Sequence, residues 1–196
     1  MRLSTPELLV GFRAVCAPAI FVLACFAFPG AVLAAVLVAA FLSDVFDGAI
    51  ARRQGIATAE LRMADTIVDT VFYVSAAIAL HVAVPAAFDA TWPLVVVLTI
   101  VHVSRKTFEL TKYGRIASYH MWSSKLLGAL LVVAFTQAFL ATRTGALMGI
   151  ALWVGVLNEL EGFAASVVLP GWRVDVPSLI HAIAYVRRQA PAEDRA

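Results

Sequence analysis

Long apolar runs, each about the length needed to cross a bilayer, dominate this sequence. A helix that spans the hydrocarbon core needs about 20 mostly apolar residues, and six stretches of the chain meet that requirement. Hydrophobic residues make up 62% of the 196 residues and charged residues 14%, whereas soluble domains are nearer half apolar and a quarter charged. The sequence therefore predicts an all-α polytopic membrane protein with six transmembrane helices.

The connections between the predicted spans are short, so we predict one transmembrane domain over residues 1–189 with helical ends at the membrane interface. Residues 190–196 are expected to form a disordered tail. The segment 177–188 fits either an amphipathic helix on the inner membrane surface or a helix packed against the domain. The predicted spans are residues 8–28, 30–51, 61–82, 92–108, 118–141 and 145–169.

Basic residues are distributed unequally between the two sides of this arrangement. Of the 15 lysines and arginines, all except Arg143 fall at one end of the spans or in the connections on that side. The positive-inside rule assigns the basic side to the cytoplasm. We therefore expect a multi-pass protein of the plasma (cell inner) membrane with both termini in the cytoplasm.

Four aspartates, Asp44, Asp47, Asp65 and Asp69, lie in two adjacent predicted spans. A carboxylate at membrane depth costs about 3 kcal/mol or more unless it is paired. Spacings of three and four residues place each pair on one helix face, and both pairs fall near the cytoplasmic ends of their spans. Divalent cations such as Mg²⁺, Mn²⁺ or Ca²⁺ suit such oxygen ligands, and two ions held together suit phosphoryl transfer. The structural alternative is pairing with Arg52, Arg53 and Arg62.

The segment 44–69 resembles the signature of the class I CDP-alcohol phosphotransferase (CDP-alcohol phosphatidyltransferase) family, D-x2-D-G-x2-A-R-x8-G-x3-D-x3-D. Leu61 stands where the family has its second glycine. Arg13 and Pro18 also resemble an arginine and a proline that the family often carries near its first span. The matching signature residues are Asp44, Asp47, Gly48, Ala51, Arg52, Asp65 and Asp69.

By this resemblance the chain is expected to be an enzyme of phospholipid biosynthesis. It would transfer a phosphatidyl group from a CDP-alcohol such as CDP-diacylglycerol to a small alcohol, phosphorylated or not, and release CMP at the cytoplasmic face. Asp69 is the implied general base. The resemblance implies that two Mg²⁺ or Mn²⁺ ions bind to Asp44, Asp47, Asp65 and Asp69. It implies that the nucleotide contacts Gly48, Ala51, Arg52 and Leu61. It also implies a homodimer in contact with membrane lipid, and we predict no nucleic-acid partner.

Basic residues at the cytoplasmic ends of the fourth and fifth spans are candidates for binding a phosphorylated acceptor. Guanidinium and ammonium groups recognise phosphate, so this role is predicted for Arg105, Arg115 and Lys125. The alternative is that these residues only satisfy the positive-inside rule and extend to lipid headgroups. Two rival functions remain open: a catalytically weakened relative, suggested by Leu61, and a divalent-cation transporter, because intramembrane aspartates also line ion paths.

Polar residues in the cytoplasmic half of the sixth span are expected to be structural. The acidic residues there, Glu159 and Glu161, are candidates to pair with an arginine inside the helix bundle. His102 in the fourth span is likewise expected to have a partner in the protein interior, because an unpaired polar group at membrane depth is costly.

Overall fold

The computed structural model describes residues 4–54, 58–143 and 145–189, without the side chain of Arg52. These residues form seven α-helices and one short 3-10 helix, Pro85–Phe88, and no strand among them exceeds an isolated bridge between Ser118 and Val174. The all-α prediction is confirmed over this part of the chain. The α-helices are α1 Thr5–Cys25, α2 Gly30–Gln54, α3 Ala59–Ala83, α4 Trp92–Tyr113, α5 Trp122–Ala141, α6 Ala146–Val168 and α7 Leu179–Gln189.

Five of these helices, α1, α2, α3, α5 and α6, are long and apolar enough to cross a membrane. Helix α4 is not among them, because Arg105, Lys106 and Glu109 fall in its second half. The finding fits a multi-pass membrane protein, and the predicted count of six spans is not confirmed. The predicted tail, residues 190–196, lies outside the described part of the chain.

The chain divides into two compact units, of which the first runs to Trp92 and includes Gly128–Ala151. In this unit α1 packs against both α2 and α3. Each of the three helices uses a stripe of apolar residues at spacings of three and four, which keeps them on one face. The buried residues of these stripes include Ala17, Ile20 and Ala24 in α1, Leu33, Leu37 and Ala40 in α2, and Phe72, Ala76 and Ala79 in α3.

The second unit consists of Pro93–Leu127 and the chain from Leu152, and its core holds α7 in place. Ala182 of α7 is fully buried, and Leu179, Tyr185 and Val186 pack against the same cluster. The structure confirms the packed helix for this segment, and its position on the inner membrane surface stays a prediction. The rest of the cluster is Ala117, Tyr119, Met121, Ala165, Leu169 and Val176.

Lys112 closes the C-terminal end of α6 within the second unit. Its ammonium group donates hydrogen bonds to the carbonyl oxygens of Ser166, Val167 and Leu169, at 2.8, 2.9 and 2.8 Å. The last carbonyls of a helix have no partner within the helix, and a positive charge there also suits the helix dipole. One side chain from α4 therefore satisfies most of the exposed end of α6.

Candidate functional site

Five charged residues continue the buried stripes of α1, α2 and α3 beyond their apolar part. Each lies three, four or seven residues from a buried apolar residue of its own helix, a spacing that keeps it on the same face. Packing of the three helices therefore brings the five charges together. They are Arg13 in α1, Asp44 and Asp47 in α2, and Asp65 and Asp69 in α3.

Arg13 lies at the centre of this group and contacts all four aspartates, with its side chain only 1% exposed. Its Nη1 atom lies 2.8 Å from Asp65 Oδ1 and 3.4 Å from Asp44 Oδ1, and it also donates a hydrogen bond to Asp69 Oδ1. The Nη2 atom donates to Asp47 Oδ2. A planar guanidinium with five N–H donors suits several carboxylates at once, so one positive charge serves four acidic groups.

Ser43 completes the surroundings of Arg13. The Arg13 Nε atom lies 3.5 Å from Ser43 Oγ, and that hydroxyl donates to the Ala40 carbonyl at 2.7 Å. All three guanidinium nitrogens of Arg13 therefore have a partner, which is what a buried charge requires. The side chain is held in place from both α2 and α3.

The oxygens of Asp44, Asp47 and Asp65 are close enough to share a metal ion. One carboxylate oxygen from each lies within 4.8 Å of the others, and opposite ligands of a single Mg²⁺ stand about 4 Å apart. Asp47 is nearly buried, whereas the Asp44 side chain is 37% exposed, so the group is open on one side. Hard oxygen donors in this arrangement fit Mg²⁺, Mn²⁺ or Ca²⁺. Asp69 lies outside this group of three but shares Arg13 Nη1 with Asp65.

Comparison with known families identifies the chain. A family model described as CDP-alcohol phosphatidyltransferase matches residues 3–158, well over half of the sequence. The chain belongs to this family. Comparisons with curated proteins and with solved structures give no match. The family transfers a phosphatidyl group from a CDP-alcohol, and the aspartates of α2 and α3 make up its candidate active site in this protein.

A narrow cavity lies beside the aspartates in this member of the family. Asp47 and Asp65 form one part of its wall, and Gly48, Ala51 and Leu61 form another. Its volume is about 20 Å³, little more than the roughly 10–15 Å³ that one water molecule needs and far below the 300–1,000 Å³ of typical ligand pockets. The remaining wall residues are Pro6, Val10 and Arg62.

The position of Leu61 follows from the start of α3. Its backbone N–H donates to Thr58 Oγ1 at 3.2 Å, so Thr58 caps the helix and Leu61 falls in the first turn. Gly48, Ala51 and Leu61, three of the four predicted nucleotide contacts, thus line one cavity next to the aspartates. The fourth, Arg52, has its side chain outside the described part of the structure.

The three predicted acceptor residues make separate contacts, all within the second unit. Arg105 is buried and forms ion pairs with Glu109 at 2.8 Å and Glu159 at 3.1 Å, so a phosphate would have to displace a carboxylate there. Arg115 stacks on a tryptophan ring, with its guanidinium carbon 3.9 Å from the centroid of Trp172. Lys125 Nζ lies 4.4 Å from the centroid of Trp122. Both stacked residues are exposed.

Glu109 is the centre of the buried network that holds Arg105. Besides Arg105, it accepts hydrogen bonds from the Ala117 backbone N–H at 2.9 Å and from Ser166 Oγ at 3.0 Å. The expected pairing of a sixth-span glutamate with an arginine is confirmed, because Glu159 binds Arg105. His102 Nδ1 also lies 3.0 Å from Glu159 Oε1, so the histidine has a partner as expected, although its side chain is 32% exposed.

Sequence reasoning missed the central place of Arg13, which appeared there only as a family-like residue. The signal was available, because an arginine inside an apolar span is itself costly and has to find a partner. It also left out Ser43 and the contribution of Arg62 to the cavity wall. No spacing in the sequence relates α1 to α2 or α3, so the contacts of Arg13 with residues of those helices could not be predicted from it.

Proposed function

We propose that this protein transfers a phosphatidyl group from CDP-diacylglycerol to the hydroxyl of a small alcohol, in a divalent-metal-dependent reaction that releases CMP. The observation that carries the proposal is the group of aspartates whose oxygens lie within 4.8 Å of one another. Such a set of hard ligands is suited to a cation that binds a diphosphate. Membership of the CDP-alcohol phosphatidyltransferase family supports the donor class.

The four aspartates divide the chemistry between them. Asp44, Asp47 and Asp65 would hold the divalent ions, together with Asp69, and those ions would neutralise the diphosphate and the charge that develops on CMP. Asp69 accepts the proton of the acceptor hydroxyl. The acceptor oxygen then forms a bond to the phosphorus that carries the diacylglycerol. The bond from that phosphorus to the CMP oxygen breaks, and CMP leaves with the electron pair.

Gly48, Ala51, Arg52 and Leu61 are proposed to contact the nucleotide end of the donor. The small residues Gly48 and Ala51 leave space beside Asp47, and Leu61 reduces it. A cavity of about 20 Å³ is too small for a pyrimidine, and Leu61 is one of the wall residues whose movement would enlarge it. This observation favours a second candidate function, a family member with weakened catalysis, and makes Leu61 the residue at which the two candidates are told apart.

The membrane arrangement of the proposal rests on charge. Because all lysines and arginines except Arg143 fall on one predicted side, we place both termini and the active site at the cytoplasmic face of the plasma membrane. A lipid donor could then keep its acyl chains in the bilayer. Binding of a phosphorylated acceptor by Arg105, Arg115 and Lys125 stays a prediction, as does the homodimer.

The test is CMP release by the purified full-length protein with CDP-diacylglycerol, Mg²⁺ or Mn²⁺ and a panel of alcohol acceptors. We expect metal-dependent CMP release with at least one acceptor. Leu61→Gly should lower the KM for CDP-diacylglycerol several-fold, because it enlarges the cavity next to Asp47 and Asp65.

Ile67→Gly is the matched control for that variant. It introduces the same helix-destabilising residue into α3, about 1 kcal/mol relative to alanine, but at a 47% exposed position that does not line the cavity. Its KM should equal that of the wild type. Absence of metal-dependent CMP from every acceptor, in the wild type and in Leu61→Gly alike, would rule out the transferase activity.

A further inference from the structure

The most unusual feature of the site is that a buried arginine stands among the residues that would bind metal. Arg13 Nη1 contacts Asp44, Asp65 and Asp69, and therefore lies in the space between the carboxylates of α2 and α3. A divalent ion ligated at about 2.0–2.6 Å by the Asp44 and Asp65 oxygens that Arg13 contacts would compete with Nη1 for this space. The guanidinium nitrogen and a metal ion cannot both lie there, because the two would overlap and their like charges would repel without a carboxylate oxygen between them.

The contacts of Arg13 also explain how the fold tolerates the carboxylates before an ion binds. Four aspartates at membrane depth are costly without positive charge beside them, and Arg13 supplies one at 1% exposure. The guanidinium comes from α1, whereas the aspartates lie on α2 and α3. Withdrawal of Arg13 would therefore be a movement of one α1 side chain, while the helices that carry the aspartates could stay in place.

We propose that Arg13 is an exchangeable counter-ion: it pairs with the aspartates while no ion is bound and withdraws from them when a divalent cation binds. This inference rests on the proposed metal site. If it holds, metal binding has to supply the free energy needed to break the ion pairs of Arg13. Removal of Arg13 removes that cost, just as a mutation that favours the binding-competent state raises apparent affinity.

The test is a Mn²⁺ titration of the full-length protein, followed by the electron paramagnetic resonance signal of free Mn²⁺, with thermal unfolding measured in parallel. Arg13→Met should bind Mn²⁺ about tenfold more tightly than the wild type, the gain expected if one site in ten is competent before binding. In EDTA its Tm should fall below the wild-type value, because the aspartates lose their counter-ion. Added Mn²⁺ should raise that Tm by more than it raises the wild-type Tm.

Arg105→Met is the matched control, because Arg105 is also a buried arginine with two carboxylate partners. It should lower the Tm but leave the Mn²⁺ affinity unchanged. Arg13→Lys, which keeps the charge but loses the planar fork, should give an intermediate affinity. Arg13→Lys also replaces Arg13→Met in the titration if the latter folds poorly. Failure of both variants to fold even with Mn²⁺ would show that metal does not replace Arg13.

Equal or weaker Mn²⁺ binding in the Arg13 variants would overturn the inference and make Arg13 a fixed positioning residue for the carboxylates. That result differs from failure of the proposed function. If the metal site itself were absent, the wild type would bind no Mn²⁺, or would bind it equally well in the Asp44→Asn and Asp47→Asn variants.

Discussion

Two buried arginines in this protein lie among carboxylates, and their surroundings differ in charge. Arg13 contacts four aspartates in the first unit. In the second unit Arg105 contacts Glu109 and Glu159, and Lys106 lies 3.4 Å from Glu109. The second cluster has two positive and two negative charges, so it is balanced. In the first, Arg13 contacts four aspartates, three more than its own charge neutralises, and Arg62 lines the cavity beside Asp47 and Asp65. We propose that this acidic group binds cations.

The contrast teaches that burial of charge does not by itself identify a functional site. Both clusters would be costly if either arginine were removed, because an unpaired buried charge is strongly destabilising. The balanced cluster needs nothing further and serves to join α4 to α6. The unbalanced cluster holds more carboxylates than Arg13 alone neutralises, and packing of the helices does not by itself require four carboxylates around one guanidinium.

The largest expected effect is on catalysis in the unbalanced cluster. Asp69→Asn removes the proposed base, so CMP release should fall by about 10²- to 10⁴-fold. Its Tm should be unchanged or higher, because one charge of the surplus is lost. Asp89→Asn, an exposed aspartate in the turn before α4, is the control and should leave both quantities unchanged. If Asp69→Asn lost stability and kept its activity, the contrast between the clusters would fail.

The next effect is on stability in the balanced cluster. Glu109→Ala leaves Arg105 without its closest partner and should lower the free energy of unfolding by about 3 kcal/mol. Thermal or denaturant unfolding in detergent measures this loss. Mn²⁺ binding per folded molecule should stay at the wild-type level. Glu109→Gln keeps the shape and some hydrogen bonds, so its loss should be smaller, and an equal loss would show that packing rather than charge is responsible.

Removal of metal should distinguish the two clusters in a second way, by its effect on the Tm. EDTA should stop CMP release and lower the wild-type Tm, because an ion at 100 times its Kd stabilises the folded state by about 2.7 kcal/mol. The Asp44→Asn, Asp47→Asn double variant should show no EDTA-dependent change in Tm. Glu109→Gln should show the same EDTA-dependent change as the wild type, and any reduction would mean that the balanced cluster also binds metal.

The smallest effect concerns the space that Arg105 needs. A methyl group on Gly162 would lie 2.3 Å from the Arg105 guanidinium carbon, and the paired side chain has little freedom to give way. Gly162→Ala should therefore lower stability by about 1–2 kcal/mol. Gly155→Ala, also in α6, would place its methyl group 3.2 Å from a Leu98 methyl carbon, and improved helix propensity of about 1 kcal/mol should offset that contact. Equal Tm values for the two variants would contradict the account of Arg105.

The sequence was sufficient to predict the features that depend on local spacing. The pairs Asp44–Asp47 and Asp65–Asp69 had to share helix faces, and the structure brings Asp44, Asp47 and Asp65 together. The roles of these residues stay predictions. The aspartates that Arg13 contacts lie 31 to 56 residues away along the chain, where periodicity gives no information and only the packing of α1 against α2 and α3 decides.

Arg105 shows how distant partners can also change the interpretation of a residue that the sequence did single out. Its place among basic residues near the end of a predicted span suggested phosphate binding. Its partner Glu159 is 54 residues away, and no pattern in the sequence connects the two. Helix α4 does not meet the criterion for a membrane-spanning helix for a related reason. Its charged second half is unsuited to lipid by composition, yet those charges are satisfied inside the second unit by α6, a compensation that a hydropathy window does not include.

Lys112 illustrates how one residue can act at two stages in the life of a membrane protein. During insertion, a lysine at the end of an apolar segment is a topology signal that helps to retain its side in the cytoplasm. After folding, the same ammonium group binds three carbonyl oxygens at the end of α6. In the predicted topology one charge would thus serve insertion first and the finished structure later, and we expect Lys112→Gln to disturb the second stage even where neighbouring basic residues compensate for the first.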